Sequence, residues 1–345
     1  MIDRRALLAT LPSLLAAPSA IALGLRPAEA AVSGDPAGFD RFLAGVRAEA
    51  RRDGIAPAVL DRALHGLTPN QDVLRRERHQ PEFTMTWAHY QRLLITPKRI
   101  AAGKAAWQDN RALFGRVERR FGVGPGVILG IWGIESSFGT QTGGFQVVDT
   151  LATLGFAGTR PGFFRSELIA ALRILNAGDI TPGRMTGSYA GAMGQPQFMP
   201  SSYLHYAVDF TGNGTGTGKG NIWTSVPDVL ASVANYLARN GWRGGRDREG
   251  PARVGFDWGA PALLPPGYVP AVGARMLPVA AWERLGVRPA RAGALGGTTP
   301  VRLVRPAGVD GPGYLVTADF DAIRRYNPSD FYALAVGLLG RKILA

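Results

Sequence analysis

Residues 130–140 of this 345-residue chain read GIWGIESSFGT, and this stretch places one charged side chain in apolar surroundings. Glu135 follows five uncharged positions, and Pro125 upstream suits the first turn of a helix. Apolar side chains recur at helical spacing at Val127, Ile128, Ile131, Ile134 and Phe138. We therefore predict a helix that starts at Pro125, holds Glu135 at the margin of an apolar stripe, and is ended by Gly139 and Gly143–Gly144.

Two interpretations of Glu135 follow from this position. A glutamate in an apolar helix is often a structural partner for an arginine or for a backbone N–H group. Alternatively, apolar surroundings favour the protonated form of a carboxyl group, which suits an acid that must give up a proton in a reaction. The stretch by itself leaves both interpretations open.

The composition is that of a globular protein, with 46% hydrophobic and 19% charged residues. The length allows one large domain or two to three sub-domains. The absence of cysteine excludes disulfides, thiolate metal sites and a cysteine-linked lipid anchor. A net charge of +13 suits a partner that carries many carboxylates or other anions, although a general preference for arginine would also explain much of the excess.

The N-terminus has the pattern of an export signal. Arg4-Arg5 precedes an apolar run over residues 6–25, and Ala28-Glu29-Ala30 is a small-x-small cleavage pattern. We predict a twin-arginine-like signal over residues 1–30, cleaved near Ala30, and a periplasmic protein without a transmembrane anchor after cleavage. The alternative is an uncleaved membrane anchor, which the prolines within the run oppose.

Hydrophobic periodicity and glycine content divide the remaining chain into four segments. Residues 31–122 have the spacing of several helices, and residues 123–244 combine helices with a glycine-rich loop. Residues 245–320 are rich in proline and glycine and contain short apolar runs typical of strands, such as 302–304 and 314–316. Residues 321–345 are predicted to form a closing helix. The expected fold class is α+β and mostly α-helical.

The glycine-rich run TGNGTGTGKGN at 211–221 matches neither the phosphate-binding nor the dinucleotide-binding pattern. A flexible loop is one interpretation. A cation loop is another, because oxygen-bearing side chains alternate at its start. No histidine pair has metal-ligand spacing, and no GxSxG motif is present, so zinc and serine hydrolases are not indicated.

Four ordered motifs carry a resemblance to a known family. They are ESSFGT at 135–140, SYAGAMGQPQFMPSSY at 188–203, NIWTSVPDVLASVANYLARNGW at 221–242 and RYNPSDFYALAV at 325–336. Together they resemble the membrane-bound lytic murein transglycosylase B family, a glycoside hydrolase family, from about Phe39 to the C-terminus. The resemblance implies an exported bacterial enzyme with a lysozyme-like core, a helical domain and a small β-containing sub-domain.

The resemblance also implies a reaction. The family cleaves the β-1,4 bond between N-acetylmuramic acid and N-acetylglucosamine in peptidoglycan without water, and leaves 1,6-anhydromuramoyl ends. One glutamate, matched by Glu135, protonates the glycosidic oxygen and then serves as the base while the muramoyl C6 hydroxyl attacks C1. Most glycosidases use two carboxylates, yet the next acid after Glu135 is Asp149. A substrate that supplies its own nucleophile removes the need for the second acid.

Residue by residue, the resemblance implies a substrate-binding site whose members contribute polar groups or rings for sugars and peptide carboxylates. Packing or capping is the alternative role for each of them. The residues are Ser188, Gln197, Tyr236, Tyr326, Asn327, Tyr332, Arg160 and Tyr90.

The cation loop of the family is matched in part, since the sequence here is DFTGNG followed by an insertion. No cofactor is expected to be required. A Ca²⁺ or Na⁺ ion in the 209–228 loop would take its ligands from Asp209, Thr211, Asn213 and Asp228.

The expected partner is the glycan strand of peptidoglycan, with cell-wall synthesis proteins as further expected partners and no nucleic acid. Two alternatives remain for the activity. One is a non-catalytic peptidoglycan-binding protein that has kept the fold, and the other is a muramidase that uses water.

Overall fold

A computed structural model describes residues 35–78, 85–212, 217–244, 257–269 and 275–345. These residues are mostly helical and include a small β-sheet, so the predicted fold class is confirmed. The predicted export signal at residues 1–30 lies outside the described residues. None of the described helices is long and apolar enough to cross a membrane.

The helices and strands alternate unevenly along the chain, with most strands between residues 259 and 316. The helices are α1 (Pro36–Arg52), α2 (Pro57–Leu64), α3 (Gln71–Arg78), α4 (Trp87–Leu94), α5 (Pro97–Asp109), α6 (Arg111–Phe121), α7 (Pro125–Ser136), α8 (Val147–Ala157), α9 (Pro161–Ala177), α10 (Pro200–Tyr206), α11 (Val226–Arg239), α12 (Val279–Arg284), α13 (Ala318–Tyr326) and α14 (Asp330–Leu344). The strands are β1 (Phe145–Gln146), β2 (Thr186–Gly187), β3 (Gly259–Leu263), β4 (Leu277–Pro278), β5 (Arg288–Pro289), β6 (Pro300–Val304) and β7 (Gly313–Val316).

Local signals set many of the helix ends. Helices α1, α2, α5, α7, α9 and α10 carry proline in the first turn, where its missing N–H group costs nothing. The side chains of Thr86, Thr96 and Ser329 accept backbone N–H bonds at the starts of α4, α5 and α14. Gly122 and Gly178 end α6 and α9 in the left-handed conformation.

The described chain forms two compact units. The first unit contains residues 35–78, 139–212 and 217–232, and the second contains residues 85–138, 233–244, 257–269 and 275–345. Helix α11 begins in the first unit and ends in the second. The predicted domain boundaries at residues 122, 244 and 320 stay a prediction.

Helices α8 and α9 form the core of the first unit, with α1, α2, α3 and α10 packed against one or both of them. Leu151, Leu168 and Leu172 are completely buried between these elements. Aromatic rings of α1 and α8 add to the core, since Phe39 and Phe156 meet edge to face at 5.3 Å. The first unit is thus a helical layer with a short β1–β2 ladder at one point.

Helices α7 and α14 form the core of the second unit, with α4, α5 and α13 against α14. The helices approach closely because glycines face the opposite backbone. A Cβ atom on Gly130 would collide with the carbonyl oxygen of Val336, and one on Gly340 would collide with that of Gly126. This contact fixes α7, and therefore Glu135, against the C-terminal helix.

An antiparallel five-stranded sheet, in the order β4-β6-β7-β3-β5, completes the second unit. The predicted strands at 302–304 and 314–316 lie in β6 and β7, which confirms them. Trp282 of α12 is buried on the sheet and donates its indole N–H to the Val301 carbonyl at 2.9 Å. The C-terminal segment forms two helices, α13 and α14, because Asn327-Pro328 interrupts the pattern.

Candidate active site

Helix α7 carries Glu135 in its last turn, where 6% of the residue is exposed. The helix starts at Pro125, as predicted. The predicted apolar stripe is wrong in detail, because nearly the whole helix is buried, and Ile134 is its one partly exposed residue. Glu135 therefore lies within the packed interior of the second unit rather than at the margin of an apolar face.

The helix ends before Gly139 and Gly143–Gly144, the glycines that were predicted to end it. Its last residue is Ser136, and Ser137 and Phe138 follow with positive φ angles of 48° and 59°. Two consecutive non-glycine residues in this conformation store backbone strain directly after Glu135. The Phe138 ring holds the turn, since Cβ atoms on Gly103 and Gly133 would lie 2.8 and 2.7 Å from its Cζ atom. The two glycines thus create the space that this ring fills.

Tyr332 is a hydrogen-bond partner of Glu135. Its hydroxyl donates to Oε1 of Glu135 at 2.5 Å, and both residues are buried. Tyr332 stands in the first turn of α14, where the Ser329 side chain accepts the Tyr332 N–H group and fixes the start of the helix. The geometry is that of a short bond from a neutral donor to a carboxylate.

A group of aromatic rings surrounds this bond. The Tyr326 ring lies 6.4 Å from the Tyr332 ring with an interplanar angle of 12°, and the Tyr236 ring lies 4.7 Å from that of Tyr326. The Tyr236 hydroxyl donates to the Arg325 carbonyl at 2.6 Å, which fixes the last turn of α13. Tyr90 is buried and is the smallest of the contributors to the raised pKa of Tyr332. These four tyrosines and Glu135 are the predicted site residues that the structure brings together.

Burial is the main reason why the pKa values of Tyr326 and Tyr332 lie well above the usual tyrosine value, and the nearby Glu135 carboxylate raises both pKa values further. Both hydroxyls therefore remain protonated at neutral pH and can act as hydrogen-bond donors. Glu135 is thus bordered by neutral donors and aromatic rings.

Asn327 is buried with 1% exposure, and neither its side-chain nitrogen nor its oxygen has a hydrogen-bond partner among the described residues. A buried amide without partners is costly in a folded protein. Asn327 directly follows Tyr326, so an unsatisfied donor and acceptor lie next in sequence to the tyrosine group. Such an amide is suited to hold a water molecule or a polar group of a ligand.

The predicted site residues Ser188 and Gln197 lie in the first unit, in the turn between β2 and α10. The Ser188 hydroxyl accepts the N–H groups of Ala190 and Ala192. Gln197 has a positive φ of 51°, and its amide donates to the carbonyls of Thr142 and Gly194 at 3.0 and 2.8 Å. These bonds hold Gln197 in a strained backbone conformation, which is frequent at functional sites.

Arg160 also lies in the first unit, immediately before α9, and its guanidinium group stands 5.0 Å from the Phe163 ring centroid. Asp149, the next acid after Glu135 in sequence, accepts a bond from the Asn70 amide at 2.7 Å. Burial raises the Asp149 pKa and this bond lowers it, with burial the larger effect. Asn70 thus gives Asp149 a structural partner.

The described part of the predicted cation loop is held by hydrogen bonds. Asp228 is completely buried and accepts the N–H groups of Phe210 and Asn221, both at 2.9 Å. Asp209 accepts the N–H group of Gly212 at 2.8 Å, Thr211 is exposed, and Asn213 lies outside the described residues. Among the described residues, no cluster of three histidines, aspartates or glutamates could hold a metal. The cation site stays a prediction.

The sequence did not reveal the left-handed turn at Ser137-Phe138 or the unsatisfied amide of Asn327. The glycines at 103 and 133 were the available signal for the turn, because glycine in a helix interior requires a packing reason. No local sequence pattern indicates that the Asn327 amide will lack a hydrogen-bond partner once it is buried.

Comparison with known proteins identifies the family. The protein-family model described as the transglycosylase SLT domain matches residues 38–341. The chain belongs to the transglycosylase SLT domain family. This family acts on peptidoglycan, so the predicted fold, enzyme class and family resemblance are confirmed.

Relatives of this transglycosylase SLT domain protein cover most of its length. It is 36% identical over 262 residues to the membrane-bound lytic murein transglycosylase B of Escherichia coli K12, covering 74% of this chain and 67% of the relative. The structure of SltB3 from Pseudomonas aeruginosa in complex with NAG-anhNAM-pentapeptide matches with a TM-score of 0.79 and 38% identity, over 89% of this chain and 80% of SltB3. The Escherichia coli lytic transglycosylase Slt35 in complex with calcium matches with a TM-score of 0.71 and 28% identity, over 93% of this chain and 98% of Slt35.

Proposed function

We propose that Glu135 is the sole acid and base of a lytic transglycosylase reaction on peptidoglycan. The observation that carries the proposal is the position of Glu135, which is buried beside the protonated Tyr332 hydroxyl in a chain of the transglycosylase SLT domain family. The complex of the related SltB3 with an anhydro-muramoyl peptide supports a product with an intramolecular anhydro bond.

The proposed reaction needs two proton transfers at one carboxyl group. The protonated Glu135 gives its proton to the glycosidic oxygen between N-acetylmuramic acid and N-acetylglucosamine, and the bond from this oxygen to C1 breaks. The resulting carboxylate takes the proton of the muramoyl C6 hydroxyl while this oxygen bonds to C1. No water is consumed, and Glu135 ends in its starting protonation state.

The surroundings of Glu135 support both halves of this cycle. Burial favours the neutral acid, which the first step requires. The hydrogen bond from Tyr332 favours the carboxylate, which the second step requires. The two effects act in opposite directions, so burial assists the first proton transfer and the hydrogen bond assists the second. Ser188, Gln197, Arg160 and Asn327 remain proposed substrate-binding residues.

Digestion of purified sacculi by the protein, followed by mass spectrometry of the released fragments, tests the reaction. We expect 1,6-anhydromuramoyl ends. Reducing muramic ends, which are heavier by one water, would identify a hydrolytic muramidase instead. Binding to sacculi without any released fragment would identify a non-catalytic peptidoglycan-binding protein.

The role of Glu135 is tested with Glu135→Gln, since an amide cannot donate the required proton. We expect release to fall by at least about a hundredfold. Glu167→Gln is the matched control, because Glu167 is also a buried helical glutamate, but it bonds to Ser201 in the first unit. An equal loss in both variants, or activity retained in Glu135→Gln, would remove Glu135 from the mechanism.

We also propose that the protein is exported to the periplasm, where murein is found. The pattern in residues 1–30 and the resemblance support this proposal. Replacing Arg4 and Arg5 with lysine should reduce export, and N-terminal sequencing of the periplasmic protein should give a start near Ala31. A protein that remains in the cytoplasm would contradict the proposal.

For the 209–228 loop, we retain Ca²⁺ or Na⁺ as a proposed ligand of the residues named above, and the Slt35 complex with calcium supports this choice. The ion would supply positive charge that neutralises Asp209 and Asp228 in the loop. It has no part in the proposed reaction. Cell-wall synthesis proteins remain predicted partners.

A further inference from the structure

Helix α6 presents a basic surface that the proposed reaction does not use. Its buried side is formed by Leu113, Phe114 and Val117. The exposed positions include four arginines, and with 3.6 residues per turn these arginines occupy about half of the helix circumference. They are Arg111, Arg116, Arg119 and Arg120, and together we call them the α6 arginine face.

Three of these arginines differ from many others in the described chain because they form no ion pair with an acid there. Elsewhere, arginines pair with acids across elements, as Arg165 does with Glu49 and Arg302 with Asp321. Within the described ranges, Arg111, Arg116 and Arg119 form no ion pair. Their charge is therefore available to a partner.

The other charges on α6 do not cancel this face. Its one acid, Glu118, opposes four arginines, so the helix keeps a net positive charge. Arg119 and Arg120 also interact favourably with the C-terminal end of the helix dipole, whereas Arg111 and Arg116 lie outside that last turn. The dipole thus accounts for Arg119 and Arg120, and the Arg111 guanidinium group lies over the Trp107 ring, 5.9 Å from its centroid. Neither interaction neutralises a guanidinium charge.

We propose that the α6 arginine face binds the carboxylates of the peptide stems of peptidoglycan. This inference rests on the proposed function, which brings the protein to a polymer with such stems. A guanidinium group forms a planar pair of donors that matches a carboxylate. The ligand of the related SltB3 carries a pentapeptide, and a peptide stem with a free C-terminus presents this group.

An anionic membrane surface is the competing partner, and the structure disfavours it. Helices that bind in the membrane interface insert an apolar face beside a basic one. The apolar side of α6 is already buried within the second unit, so only its charges face outward. A polymer with regularly spaced carboxylates can bind such a face without inserting an apolar surface. Several weak contacts to one polymer then add to its affinity.

The test compares two triple variants in a Glu135→Gln background, which leaves sacculi intact. One carries Arg111→Gln, Arg116→Gln and Arg119→Gln. The matched control carries Arg41→Gln, Arg51→Gln and Arg52→Gln, which removes the same charge from exposed positions of α1, including its last turn. The dissociation constant for purified sacculi is measured by co-sedimentation at low and high salt.

We expect the α6 variant to bind sacculi about tenfold more weakly at low salt than the parent, because it loses three exposed guanidinium–carboxylate contacts. The control should bind almost as the parent does, and high salt should remove the difference. On glycan strands whose peptides have been removed by an amidase, the parent and the α6 variant should bind equally. Equal losses in both triple variants, or a loss that persists on stem-free strands, would overturn the proposal.

Binding to vesicles distinguishes an anionic membrane surface from the peptide stems as the partner of the α6 arginine face. If the α6 variant loses binding to phosphatidylglycerol vesicles while its binding to sacculi is unchanged, the face is a lipid surface and the proposal is wrong. The proposed function is tested by a separate measurement, in which proteins with Glu135 intact digest stem-free strands and the anhydro ends are counted. This measurement does not depend on the α6 arginine face. Those ends should form equally in the parent and in the α6 variant.

Discussion

The hydroxyl of Tyr332 donates to the Glu135 carboxylate at 2.5 Å across 197 positions of sequence. Glu135 lies in the last turn of α7 and Tyr332 in the first turn of α14, and both helices belong to the core of the second unit. The bond connects the proposed acid to a donor whose pKa lies well above the usual tyrosine value, mainly through burial. The protonation of Glu135 therefore depends on how α14 is placed against α7.

Removing this bond should change the pH dependence of activity. In Tyr332→Phe the ring stays, but the carboxylate loses the donor that favours its ionised form. The basic limb of the pH–activity profile, where the acid loses its proton, should move to higher pH. The maximal rate should fall about tenfold, since one hydrogen bond to a charged group is lost.

The control is Tyr314→Phe, a buried tyrosine of the same unit that packs against Trp87 and Trp258. It should leave the pH profile in place. A Tyr332→Phe enzyme with an unshifted profile and an unchanged rate would show that the bond has no role in the proton transfers.

The close approach of α7 and α14 should make Gly130 intolerant of a side chain. In Gly130→Ala the new methyl group meets the Val336 backbone, so the helices must separate. We expect a loss of about 3 kcal/mol in the free energy of unfolding, measured by chemical denaturation. Gly162→Ala in the first turn of α9 is the control, because open space surrounds that position. It should be neutral or stabilising by about 0.5–1 kcal/mol.

Asp228 should stabilise the 209–228 loop through hydrogen bonds to the backbone. In Asp228→Asn one acceptor oxygen becomes a donor facing an N–H group, and we expect a loss of about 2 kcal/mol in the free energy of unfolding. Asp209→Asn, which affects a single bond at a partly exposed residue, should cost less than about 1 kcal/mol. A loss for Asp228→Asn that occurs with calcium but vanishes in a chelator would instead assign Asp228 to a cation site.

The ionisation of Glu167 should lower the free energy of unfolding as the pH rises. Burial raises its pKa, and the bonds from Ser201 lower it by less. A group whose pKa is raised by folding contributes stability below its unfolded pKa and loses it as the pH rises through its folded pKa. The stability of Glu167→Gln relative to the parent should therefore increase from acidic to neutral pH. A difference that does not vary with pH would show that the ionisation of Glu167 is not linked to folding.

The sequence by itself determined the features that depend on a few neighbouring residues. The start of α7 at Pro125, the starts of other proline-led helices, the strands at 302–304 and 314–316 and the presence of one acid in an apolar helix all follow from local patterns. Prolines, caps and periodicity act within a turn or two, so one sequence is sufficient to reveal them. The sequence also indicated the family, because four motifs that occur in the same order are a specific signature.

The tertiary structure decided the surroundings of that acid. The helix predicted to have one apolar face is buried on nearly all sides because α14, about 200 residues later, packs against it through Gly130 and Gly340. The bond from Tyr332 and the turn at Ser137-Phe138 depend on the same packing. Burial and hydrogen bonding between distant residues arise only when the chain brings them together, and these two effects govern whether Glu135 holds its proton.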